Sequence, residues 1–125
     1  MVMLVGECSD RYRAVFSLGP VASPLQYGGD FLYCDANDTN EISVRTPALW
    51  LHCVKTPMFV FEGADRGNWD AVEMMLERNS NPKIQFFKVP GHDHFSVIAP
   101  LAEVLAKQIV EGQVNITQQM VDGLR

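Results

Sequence analysis

The chain has 125 residues, 47% of them apolar and 20% charged, with a formal net charge of −5. This length allows one domain at most, with roughly two-thirds of the unfolded surface available for burial, enough for a core. The balance excludes a wholly disordered chain, and the scattered Lys and Arg exclude a basic nucleic-acid surface. No apolar run approaches the length of a membrane span, so no membrane partner is expected. The opening Met1–Glu7 has no basic segment and is unlike a secretory signal. Cys8, Cys34 and Cys53 are odd in number and lie at no metal-like spacing, which predicts free thiols in a reducing compartment, the cytoplasm.

In chain order, residues 1–7, apolar up to Glu7, read as the end of a helix, since no capping residue precedes them. Ala14–Leu18, stopped by Gly19-Pro20, reads as a buried strand. Residues 21–44 read as a long loop, rich in Gly, Asp and Asn, of the kind that is functional or mobile. Thr46-Pro47 reads as a helix start, with two turns over Ala48–Val54 that end at Lys55-Thr56-Pro57. Met58–Gly63 is a near-continuous apolar run, as expected for a parallel strand covered on both faces. Trp69, Val72, Met75 and Leu76 mark one face of a helix that closes at Asn79-Ser80-Asn81-Pro82.

A third strand follows at Ile84–Val89, then the turn Pro90-Gly91-His92-Asp93-His94, then a helix marked by Ile98, Leu101, Leu105 and Ile109. Residues 1–112 form the domain, and 113–125 are a tail with a weak helical pattern at Ile116, Met120 and Leu124. Alternating strands and helices predict an α/β layer with three parallel strands. Their carboxyl ends share one edge, where open α/β sheets hold catalytic groups.

That edge carries the chemistry. Asp65 on one exit and His94 on the next have the order a catalytic pair needs, the carboxylate fixing the imidazole tautomer and the free nitrogen taking a proton. The plainer alternative makes Asp65 a helix cap and His94 a polar turn residue. His92 and His94 form His-x-His, but a zinc site needs three or four ligands, and no metal is expected. Gly28-Gly29 lacks the helix and lysine of a phosphate loop, so no cofactor is expected. Cys34 and Cys53 lie on no strand-to-helix turn and read as structural thiols.

The run Thr56–Gly63 and the turn Val89–Phe95 together resemble the C-terminal half of α/β-hydrolases, in the prolyl-oligopeptidase and dienelactone-hydrolase branch. Asp10–Pro20 resembles the passage into that family's sixth strand, and residues 45–57 resemble the short helix feeding its seventh. The likeness covers roughly residues 1–110, and it implies a partial α/β-hydrolase fold containing the sixth to eighth family strands. It further implies a serine hydrolase acting on a small-molecule ester or a peptide, without a cofactor. On this resemblance the histidine is His94, with His92 as the alternative, and the acid is Asp65, with Asp70 in reserve. The family often sets its acid one residue further from the glycine than Asp65 is from Gly63.

The family's elbow Gly-x-Ser-x-Gly is absent: Ser9, Ser17, Ser23, Ser43, Ser80 and Ser96 all lack the flanking glycines. The resemblance therefore implies a nucleophile located before Met1 and a chain that is inactive alone. An interrupted sheet would also leave an open edge, which predicts self-association. The rival expectation is a non-catalytic half-fold module that pairs with another chain through that edge.

Overall fold

A computed structural model of the chain describes residues 12–28, 32 and 34–124. The helix end expected at 1–7 lies outside the described residues. The sheet has three strands, β1 (Val15–Leu18), β2 (Met58–Gly63) and β3 (Ile84–Val89), in the order β1-β2-β3. All are parallel: Val15 pairs with Met58 and Met58 with Ile84, and at the far end Gly63 pairs with Val89. The mixed α/β layer expected from the sequence is present, with helices flanking a parallel sheet.

β2 is buried at every residue, as expected of a central parallel strand covered on both faces. Side chains alternate between the faces. Met58 and Val60 join Val72 and Met75 of α2 (Trp69–Arg78) in one core cluster. Phe59 and Phe61 join Leu101 and Leu105 of α3 (Ile98–Val110) in the other. Pro100 is tolerated because it falls in the first turn of α3, where its missing N–H has no intrahelical partner to lose. Phe16 stacks on Phe59 at 5.6 Å and Phe61 on Phe87 at 5.1 Å, so aromatic rings bridge all three strands on this face. Within residues 113–125, Ile116 and Val121 are buried in the same cluster. A short helix, Gln118–Asp122, is capped by Thr117, and Gln118 Nε2 donates to the Lys88 carbonyl at 2.8 Å.

Two segments differ from the sequence expectation. The described part of 21–44 is not simply loop. A 3₁₀ turn at Pro24–Tyr27 is held by a reciprocal Ser23–Gln26 capping box, and α1 (Thr39–Val44) is capped by the Asp38 side chain. The two helical turns expected over 48–54 are instead 3₁₀ turns at Pro47–Leu49 and Leu51–Cys53. A segment this short has little to offset helix nucleation, and Trp50 Nε1 donates to the Ser43 carbonyl at 2.8 Å, tying the segment to α1.

Phe61, fully buried and stacked on Phe87, is the test of this core. Phe61→Ala should destabilise the fold by about 3–5 kcal/mol, a large share of the roughly 5–15 kcal/mol total of a domain. Urea unfolding followed by circular dichroism should show the midpoint falling with an unchanged slope.

Candidate functional site

The carboxyl ends of the strands meet at one edge, and the histidine turn closes over it. Gly19 N–H donates to the Phe61 carbonyl at 2.9 Å, carrying the β1 ladder into its exit. Ala64 N–H donates to Val89 O at 2.8 Å and Asp65 N–H to His92 O at 2.9 Å, so the exit of β2 runs on beside the turn. Asp93 shapes the turn itself. Its Oδ1 accepts from the N–H groups of Phe95 at 2.9 Å and Ser96 at 2.7 Å, while its own N–H donates to Ser96 Oγ at 2.9 Å. The backbone bond from Ser96, with that from Phe95 next, holds the Asp93 carboxyl below its ordinary value of 3.8.

This turn sends His94 back over the sheet, where its Nδ1 lies 3.1 Å from Oε2 of Glu62. Glu62 is 0% exposed, on the same face of β2 as Met58 and Val60, and His94 keeps 30% of its side chain exposed. The other oxygen, Glu62 Oε1, accepts the Gly63 N–H at 2.8 Å. An ionised carboxylate only accepts, so with Glu62 in that form the proton of this contact lies on His94 Nδ1. Among the described residues Nε2 has no hydrogen-bond partner. Phe95 stands edge-on to the imidazole at 4.9 Å and is 76% exposed.

Close backbone approach makes this packing possible. A Cβ on Gly19, whose φ is +60°, would lie 2.2 Å from His94 Cε1. A Cβ on Gly63 would lie 2.5 Å from the backbone of His92 and Asp93. Lys88, the register partner of Glu62, places its ammonium 4.6 Å from the Trp69 ring centre.

The structure therefore pairs His94 with Glu62, where the sequence reading placed Asp65. Asp65 is exposed and meets the histidine turn only through its backbone N–H. Asp70 is exposed in the first turn of α2, where a carboxylate suits the helix dipole. His92, partly exposed, contributes its carbonyl to Asp65. Among the described residues no group of three or more His, Cys, Asp or Glu is placed to hold a metal ion. No helix there is long and apolar enough to cross a membrane. One sequence signal pointed to Glu62: it is the single charge in a strand read as buried on both faces, and a buried charge requires a partner. Comparison with known protein families, with curated proteins and with solved structures finds no match.

Gly19→Ala should displace the imidazole and abolish the downfield NMR signal of the His94 Nδ1 proton. It should also destabilise the fold by more than about 1 kcal/mol, because alanine resists a left-handed φ. Asp93 gives a pH test. Its carboxyl is lowered in the folded state, so its stabilisation is fully present above 3.8 and is lost as pH falls through the folded value. Asp93→Ala should therefore lower the urea midpoint at pH about 7, and the gap from the unsubstituted protein should shrink as pH drops below 3.8.

Proposed function

We propose that Glu62 and His94 are the acid and base of a serine-hydrolase site acting on ester or peptide bonds, with the serine supplied from outside these 125 residues. The observation that carries this reading is the 3.1 Å contact between Nδ1 of a partly exposed His94 and the fully buried Glu62 carboxylate. Such a carboxylate holds the imidazole in one tautomer and steadies the cation that forms on proton uptake. His94 Nε2 takes the proton from the attacking hydroxyl and returns it to the leaving group. Glu62 fills the orienting role for which the sequence reading named Asp65. The order of strand exits, which resembles the back half of α/β-hydrolases, supports the same assignment. A cytoplasmic setting, expected from the odd number of cysteines, belongs to the same proposal.

The rival is a non-catalytic module that pairs through the outer edge of β1, which pairs only with β2 among the described residues. One experiment separates the two. The 125-residue chain should not turn over p-nitrophenyl acetate. Expressed with its upstream reading frame, it should gain a Gly-x-Ser-x-Gly segment and esterase activity. Glu62→Gln should then lower kcat by a factor on the order of 10⁴, the scale seen when the imidazole tautomer is mis-set. An upstream frame without that segment, or turnover indifferent to His94→Ala, would sink the hydrolase reading.

A further inference from the structure

We infer that Gly67, in the exit loop between β2 and α2, is a positioning residue that seals the Glu62 carboxylate and aims it at His94. The inference rests on reading Glu62 and His94 as the working pair. A Cβ built on Gly67 would lie 2.6 Å from Glu62 Oε1, 3.0 Å from Glu62 Cδ and 2.7 Å from the Gly63 carbonyl oxygen. The backbone of Gly67 therefore lies directly against the carboxylate oxygen that does not face the imidazole.

That oxygen already accepts the Gly63 N–H at 2.8 Å. With the loop on one side and the Gly63 amide on another, Oε1 is closed to water and Oε2 is left for His94 Nδ1. The loop is held in this place from both ends. Ala64 and Asp65 donate to the carbonyls of Val89 and His92, and the Asn68 carbonyl accepts from Ala71 at the start of α2. Between these anchors Arg66 takes a left-handed φ of 56°, a costly conformation for a non-glycine residue that brings the next backbone unit inward. A side chain at 67 would push either the loop outward or the carboxylate away from the histidine, and water would reach Oε1 in both cases.

The test reads the geometry of the pair and not turnover, so its failure is distinct from failure of the hydrolase proposal. In Gly67→Ala, exchange of the His94 Nδ1 proton with water should accelerate by more than about tenfold, since a charge-assisted bond is worth at least that factor. Its NMR signature should approach that of Glu62→Gln while the amide spectrum stays dispersed. A folded Gly67→Ala protein whose His94 proton exchanges as slowly as before overturns the inference. If the variant does not fold, the unsubstituted protein decides. The sealed Gly63 amide should exchange far more slowly in D₂O than the amide of the exposed residue Arg66, and comparable rates for the two overturn the seal.

Discussion

A carboxylate that is wholly withdrawn from water must be satisfied by the protein around it, and Glu62 imposes that demand at the end of the central strand. Its two oxygens are answered by the Gly63 amide and the His94 imidazole. Both partners are fixed by backbone: the amide is the next residue of β2, and the imidazole is delivered by a turn that Asp93 holds together. The tight approaches at Gly19 and Gly63 follow from bringing the β1 exit, the β2 exit and the histidine turn onto one charge.

The parallel sheet makes this convergence possible. Antiparallel strands would send neighbouring exits to opposite edges, whereas three parallel strands deliver all three exits to the same one. β2 lies in the middle, so its one charged residue is flanked by strands on both sides, with the His94 imidazole and the Gly67 backbone lying against it. Asp65 has already left that position: it sits beyond the glycine, exposed. Two carboxylates three positions apart thus occupy opposite environments. Only the buried one can orient a histidine without competition from solvent.

Much of the architecture is legible in the sequence. β2 and β3 are apolar runs with sharp Pro and Gly boundaries, and α2 and α3 carry a helical stripe long enough to identify. The segments read differently are those whose structure depends on distant partners or on caps rather than on periodicity. Trp50 reaches the Ser43 carbonyl, and Asn81 Nδ2 donates to the carbonyls of Leu51 and Val54, so the 47–54 segment is shaped by residues far along the chain. The turn at 24–27 did carry a capping-box signature in Ser23 and Gln26, hidden within a stretch dominated by loop-forming residues.

The candidate site divides the same way. By itself the sequence placed His94 at a strand exit and put an acid within one exit of it, because strand ends and turn residues are written locally in Pro, Gly and hydrophobic pattern. Which acid faces the imidazole was decided only in three dimensions. The choice between Glu62 and Asp65 depends on burial and on how far the turn folds back over the sheet, and neither is encoded in spacing along the chain. Tertiary packing buried Glu62 and left Asp65 in water, and that difference in solvation determines which carboxylate holds the histidine.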